Sequence, residues 1–168
     1  EYIDDENLDI EEFMKDMKGY HGKTSSAAPA PQEWYDGFMM ADEIFAIALT
    51  SELSGSYNSA MVGRQMYLEE DESKQIYVMD SCSASCGETQ LALLAASLEE
   101  QGLSFEEVVS RLEAFRSEMN TYFVLDNLET LRKNGRLSGI KALVASTLSI
   151  KPVMAAVSYT HLRAHETD

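Results

Sequence analysis

The sequence predicts an α/β fold in which a parallel β-sheet carries helices on both faces. The run Ile44–Leu49 is continuously apolar, which is typical of a strand that is buried on both sides. The order strand, loop, helix then recurs three times, which is the pattern of a parallel sheet with crossover helices. The length of 168 residues corresponds to about one domain, because domains average roughly 150 residues.

Two helices are expected before this strand. Asp9 and Glu12 form a capping-box pattern that opens a short helix over about Ile10–Lys18. Pro31 follows a loop of small and hydroxylic residues and fits the first turn of a second helix, which reaches about Met40. The helical spacing turns large apolar side chains of this helix inward, namely Trp34, Phe38 and either Met39 or Met40.

Strands and helices alternate after residue 44. Ser104 with Glu107 and Asp126 with Glu129 form capping boxes that open two of the helices. The further strands are expected over Gln75–Met79, Tyr122–Leu125 and Ile150–Val157, and the helices over Tyr57–Glu70, Glu88–Gln101, 104–119, 126–135 and 141–147.

Composition and charge exclude several functional classes. The chain carries 13 lysine and arginine residues against 29 aspartate and glutamate residues, a formal net charge of −16, which repels nucleic acid phosphates and anionic lipid headgroups. Its longest apolar runs are six residues, whereas a membrane span needs about 18. The acidic N-terminus is not a signal peptide, and two cysteines make no disulfide framework, so we expect a protein of the reducing cytoplasm.

Hydroxyl groups are concentrated where the first strand ends. Thr50, Ser51, Ser54 and Ser56 precede a helix whose N-terminus offers unpaired N–H groups, and Gly55 permits a close backbone approach. This combination suits an anion, although the serines could equally serve as helix caps. Ligands of parallel sheets bind at the carboxyl ends of the strands, which directs attention to segments 24–28, 50–56 and 80–87.

Catalytic and metal motifs are not found in the sequence. The phosphate-binding patterns GxxxxGK[ST] and GxGxxG do not occur, and no GxSxG nucleophile elbow is present. His21 lies in a polar loop, which favours a solvated side chain over a catalytic base. Cys82 and Cys86 have the spacing C-x3-C without further ligands, so we expect small thiols that are buried or partly buried, no metal and no cofactor. Asp80 is expected to hold neighbouring backbone N–H groups at a strand end.

Four phrases in order resemble the DegV family of bacterial fatty-acid-binding proteins. They are KTSSAAP at 23–29, TSELSGSYNSA at 50–60, DSCSAS at 80–85, and LETLRKNGRLSG at 128–139 leading to IKPV at 150–153. The resemblance implies a two-domain protein that holds one long-chain fatty acid between its domains. It also implies a binding subunit of a fatty acid kinase, without catalytic residues of its own, that presents the acid to a separate ATP-dependent catalytic subunit.

The resemblance also implies site residues. The carboxylate would meet hydroxyls of Thr24 and Ser51, supported by Ser25, Ser54 and Gly55. Arg136 either caps a helix near Gly135 or docks the kinase. Two other functions stay open, namely a small enzyme acting on a phosphorylated metabolite at the same loops and an interaction domain without a ligand.

The chain departs from the family pattern at both ends. The family's TSQPS phrase is TSSAAP here, and Ser56 stands where the family usually has a threonine after LSG. The opening strand of the family does not precede Glu1. We therefore expect residues 1–149 to be a DegV-like N-terminal α/β domain that is partial at its start. Residues 150–157 would begin an incomplete second domain, and 158–168 would be a non-native tail outside the fold.

Overall fold

The structure, a computed structural model, describes residues 2–22, 24–124 and 153–156. The nine elements of the described part, in chain order, are α1 (Ile10–Gly19), α2 (Pro31–Phe38), β1 (Glu43–Ala48), α3 (Ser56–Glu70), β2 (Gln75–Asp80), α4 (Cys86–Glu100), α5 (Phe105–Glu118), β3 (Thr121–Val124) and β4 (Val153–Ala156). The sequence predicted each of these elements. The helices expected over 126–135 and 141–147 lie outside the described residues.

β1 and β2 form the parallel sheet that the apolar runs predict. They pair from Glu43 opposite Gln75 to Ala48 opposite Asp80. Successive side chains of a strand point to opposite faces, and the core accordingly divides into two clusters. The first cluster joins the sheet to α2 and α3 through Phe38, Ala46, Ala60, Tyr67, Ile76 and Val78. The second joins it to α4 and α5 through Met79, Leu91, Ala95, Leu98, Val108 and Leu112. Helices therefore cover both faces, as expected.

The third strand does not extend this sheet within the described residues. β3 pairs antiparallel with β4, from Thr121 opposite Ala156 to Val124 opposite Val153, in a separate two-stranded sheet. Burial alternates along β3, with Tyr122 and Val124 exposed, which is typical of an antiparallel strand with one open face. The described part of the strand expected over Ile150–Val157 is β4, and its partner is β3.

The C-terminal end of α2 differs from the expectation. The helix ends at Phe38, which is buried, whereas Met39 and Met40 are exposed by 60% and 87%. The N–H groups of Met39 and Met40 bond three residues back, to Asp36 and Gly37, so the helix tightens and stops. The helical spacing therefore does not continue to Met39 or Met40, and neither residue turns inward.

Helices α2 and α3 pack closely at Gly63, in the middle of α3. A Cβ added at Gly63 of α3 would lie 2.5 Å from the Pro31 carbonyl oxygen and 2.8 Å from the Trp34 Cβ. Only glycine fits this contact without a shift of one helix.

No helix among the described residues is long and apolar enough to cross a membrane.

Candidate functional site

Two loops meet at the carboxyl end of the parallel sheet. The β1 loop (residues 49–55) connects β1 to α3, and the β2 loop (residues 81–85) connects β2 to α4. The Thr50 N–H donates to the Ser83 carbonyl at 2.9 Å, and the Ser81 N–H donates to the Ala48 carbonyl at 3.1 Å. The sequence predicted that these two segments would share one edge of the sheet, and this prediction is confirmed.

The Asp80 carboxylate joins the two loops. Its Oδ1 accepts the backbone N–H groups of Ser51 at 3.2 Å and Cys82 at 3.1 Å. Its Oδ2 accepts the Ser51 hydroxyl at 2.5 Å. The expected structural role of Asp80 is confirmed, and the structure adds the Ser51 hydroxyl to its partners. Ser51, which is predicted to contact the ligand, is thus held directly by the Asp80 carboxylate.

Hydroxyls line the start of α3. The Ser54 and Ser56 hydroxyl oxygens lie 2.9 Å apart, and the Ser56 N–H donates to the Ser54 Oγ at 3.2 Å. Gly55 is the N-cap residue, with φ −77° and ψ 0°, a conformation open to any residue. A Cβ at this position would meet only the Ala28 Cβ, at 4.0 Å. Neither backbone conformation nor packing therefore requires glycine at position 55.

The remaining predicted segment, 24–28, also lies near the start of α3. The Ser59 hydroxyl of α3 donates to the Pro29 carbonyl at 2.5 Å, and Ala28 lies next to Gly55. Thr24 is half-buried and Ser25 is exposed, both shortly before this contact. Ala28 and Pro29 thus lie at α3, and the predicted segment together with these neighbours is called segment 24–30 below. Thr24, Ser25, Ser51, Ser54 and Gly55 stay predictions as ligand contacts.

Two of the three serines of the β2 loop are structural. Ser81 and Ser83 are fully buried and bond each other, with the Ser83 N–H donating to the Ser81 Oγ and the Ser81 hydroxyl donating to the Ser83 carbonyl, both at 3.1 Å. The Ser83 Oγ lies 2.5 Å from the Thr121 Oγ1, which ties the loop to β3. Cys82 has a φ of 50°, in the left-handed region.

The sequence did not predict the contacts that three residues make with these loops. These residues are Glu88, Arg116 and Thr121. The Arg116 Nη1 donates to the Asp80 carbonyl at 3.0 Å, and its Nη2 pairs with the Glu113 carboxylate. Burial raises the pKa of the Glu88 carboxyl at the start of α4, and the N–H of Ser85 opposes this by donating to it. No local pattern marks Arg116 or Thr121, because each acts on a residue more than thirty positions away.

The described part of the chain contains histidine, cysteine and acidic side chains, the residue types that ligate metal ions. No group of three or more His, Cys, Asp or Glu side chains there could hold a metal ion. His21 is exposed, as expected, and Cys82 is partly buried. Cys86, the first residue of α4, is exposed, so the expectation of a buried or partly buried thiol is wrong for this residue. Arg136 lies outside the described residues.

Solved structures with bound fatty acids are similar to this chain. A DegV family protein from Ruminococcus gnavus, refined with vaccenic acid, is 41% identical and superposes with a TM-score of 0.89 over 98% of this chain and 59% of its own. The fatty acid kinase (Fak) B3 protein of Streptococcus pneumoniae, loaded with linoleic acid, is 36% identical, with a TM-score of 0.91 over 98% and 59% of the two chains.

Sequence comparison leads to the same family. A DegV domain-containing protein of Streptococcus pneumoniae is 39% identical over 153 residues, which are 90% of this chain and 54% of the relative. The chain thus spans about half the length of the curated relatives that it matches. The model of a family described as uncharacterised protein, DegV family, matches residues 1–164. This chain therefore belongs to the DegV family.

Proposed function

We propose that the protein is a cytoplasmic fatty-acid-binding subunit that presents its ligand to a separate kinase. The observation that carries the proposal is the bound fatty acid in the similar structures from Ruminococcus gnavus and Streptococcus pneumoniae. A third such structure, from Eubacterium eligens, is loaded with heptadecanoic acid and superposes with a TM-score of 0.87 at 32% identity. These proteins share the α/β fold that forms the two hydroxyl-bearing loops here.

The carboxyl group of the ligand would lie between the β1 loop and segment 24–30. Thr24 and Ser51 would contact it directly, with Ser25, Ser54 and Gly55 close by. A buried carboxyl group is unfavourable unless it is hydrogen-bonded, and hydroxyls beside a helix N-terminus supply such bonds without a permanent counter-charge. The carboxyl group then stays accessible to a later transfer reaction. The acyl chain supplies affinity, at about 0.8 kcal/mol per buried CH₂ before entropic costs.

The kinase activity would reside in a partner. The similar Streptococcus pneumoniae protein is by name the B3 protein of a fatty acid kinase, which supports a role as one component of such an enzyme. The Ser51 hydroxyl donates to the Asp80 carboxylate rather than to a histidine base. We expect the purified protein alone neither to hydrolyse ATP nor to transfer its phosphate.

Native mass spectrometry of the full-length protein, produced in a bacterial host, tests the proposal. We expect a co-purified long-chain fatty acid that is displaced by an added acid of different length. A bound phosphorylated metabolite would instead favour a small enzyme at the same loops, and protein that stays empty after incubation with fatty acids would contradict the proposal. Arg136→Ala then tests docking, since a docking residue would slow acyl phosphate formation by the complete kinase but leave fatty acid affinity unchanged.

A further inference from the structure

Ser51 has two polar hydrogens, and both are committed to Asp80. The backbone N–H donates to Oδ1 at 3.2 Å and the hydroxyl donates to Oδ2 at 2.5 Å. An ionised carboxylate only accepts hydrogen bonds, so the direction of the hydroxyl bond follows from the pair itself. The Cys82 N–H, at 3.1 Å from Oδ1, fixes the same carboxylate from the other loop. Asp80 is thereby held in place, and it holds Ser51 in turn.

The hydrogen-bonding capacity left to Ser51 is therefore that of an acceptor. Its side chain is exposed, and the oxygen keeps lone pairs for a ligand. We infer that Asp80 is a positioning residue that makes Ser51 an acceptor, so that the site takes up the fatty acid head group through a hydrogen that the ligand donates. This inference rests on the proposed function, because it assigns the polarity of one contact in the same site.

The neutral carboxylic acid fits this arrangement better than the carboxylate. Its O–H can donate to the Ser51 Oγ, while its carbonyl oxygen accepts from donors at the α3 N-terminus or in segment 24–30. A carboxylate has no hydrogen to donate and would face the negative charge of Asp80 across a single hydroxyl group. Ser51 and Asp80 together would thus select the protonated head group at this position.

Uncharged head groups of one chain length test the polarity directly. The full-length protein is stripped of ligand and titrated with a long-chain primary alcohol, which donates a hydrogen, and with the methyl ester of the matching acid, which only accepts. We expect the alcohol to bind about tenfold more tightly, which is the upper end of what one neutral hydrogen bond contributes. Ser51→Ala should bring the ratio of the two affinities close to one. The extra bulk of the ester is the same in both proteins and therefore cannot explain a change in this ratio.

Asp80→Asn separates positioning from support of the fold. Asparagine keeps an oxygen for the Ser51 and Cys82 N–H groups but turns an NH₂ group toward the Ser51 Oγ. The Ser51 hydrogen is then free to donate, so ester affinity should rise and the alcohol-to-ester ratio should fall, whereas a purely structural loss would weaken both ligands alike. Asp71→Asn, at the C-cap of α3 and away from the two loops, is the matched control and should leave the ratio unchanged.

The outcomes distinguish this inference from the proposed function. An ester that binds the wild-type protein as tightly as the alcohol, or a ratio that Ser51→Ala leaves unchanged, would overturn the acceptor assignment while fatty acid binding stands. A protein that binds no long-chain compound at all would overturn both. If Asp80→Asn unfolds, as seen by circular dichroism, the Ser51→Ala ratio alone decides.

Discussion

Single hydroxyl groups should decide how tightly the head group is held. Thr24→Val and Ser51→Ala each remove one proposed contact while keeping most of the side-chain volume. A hydrogen bond contributes about 0.5–1.5 kcal/mol between neutral groups and about 1.5–3 kcal/mol when one group is charged, so fatty acid affinity should fall about tenfold in each variant. Isothermal titration of the full-length protein with a long-chain acid measures this change.

Ser26→Ala is the matched control for these two variants. Ser26 is exposed in the same segment as Thr24, and no role in binding is assigned to it. Its affinity should equal that of the wild-type protein. If Thr24→Val and Ser51→Ala also retained wild-type affinity, the carboxyl group would have to be placed elsewhere.

The sequence located the candidate site but not the contacts that organise it. The order of elements was sufficient to bring segments 50–56 and 80–87 to one edge, because parallel strands end on the same side. The bond from Ser51 to Asp80 depends on strand register, and these residues are 29 positions apart. The contact of Ser83 with Thr121 depends on where β3 lies, which no local pattern specifies.

The contact between α2 and α3 depends on one missing methyl group. Gly63→Ala would place a Cβ against the backbone of Pro31 and the side chain of Trp34. Overpacking of this kind costs about 1–3 kcal/mol, so we expect a lower free energy of unfolding in urea. Because the β1 loop with Ser51 and Ser54 leads directly into α3, fatty acid affinity should fall as well.

Gly37→Ala separates this packing effect from helix propensity. Gly37 lies in α2, and a Cβ there would meet nothing within 4 Å. Replacing it should stabilise the protein by about 0.5–1 kcal/mol, because alanine loses less backbone entropy in a helix. A stabilising effect of both substitutions would show that α2 and α3 are not in contact as described.

The capping box of α5 should make stability depend on pH. The Ser104 N–H donates to Glu107 at 2.9 Å, and this bond, together with the Ser104 hydroxyl, lowers the pKa of the Glu107 carboxyl. The ionised form therefore stabilises the folded state above the unfolded pKa, and this stabilisation is lost as pH falls through the lower folded pKa. Glu107→Gln should lower the urea midpoint at pH 7, and its difference from the wild-type protein should shrink on acidification.

Glu106→Gln removes a charge from the same helical turn without touching the capping box. It isolates the general effect of a negative charge near a helix N-terminus. If both variants lowered the urea midpoint equally and at every pH, the role of the bond between Ser104 and Glu107 would be contradicted.

Among the elements, helices and buried strands were predictable and the partner of β3 was not. Capping residues and apolar runs are local, so the bounds of α1 and α5 agree with the sequence within about one residue at each end. The pairing of β3 with β4 joins segments about thirty residues apart, and a four-residue strand carries too little pattern to distinguish a parallel from an antiparallel neighbour.

Across the whole molecule, the sheet separates two cores that should respond independently to mutation. Ile76 faces α2 and α3, and Leu112 packs on the opposite face. Ile76→Val should cost about 0.5–1.5 kcal/mol and Leu112→Ala about 2–5 kcal/mol. The double variant should lose the sum of the two within about 0.5 kcal/mol, because the side chains share no cluster.

Chemical denaturation of the wild-type protein, the two single variants and the double variant measures this additivity. Ile76→Val combined with Val78→Ala is the comparison, since both side chains lie in the first cluster and should couple. Strong coupling between Ile76 and Leu112 would mean that the two faces form one continuous core.

The glycine at position 55 has a consequence for how the sequence can vary. Folding alone would prefer serine, asparagine or aspartate there, since these residues cap helices well and the backbone conformation excludes none of them. Gly63, by contrast, is fixed by the contact of two helices. In a library selected only for expression and thermal resistance, position 55 should drift and position 63 should not. In a library selected for ligand uptake, both should be retained, which would mark position 55 as a residue kept by the ligand rather than by the fold.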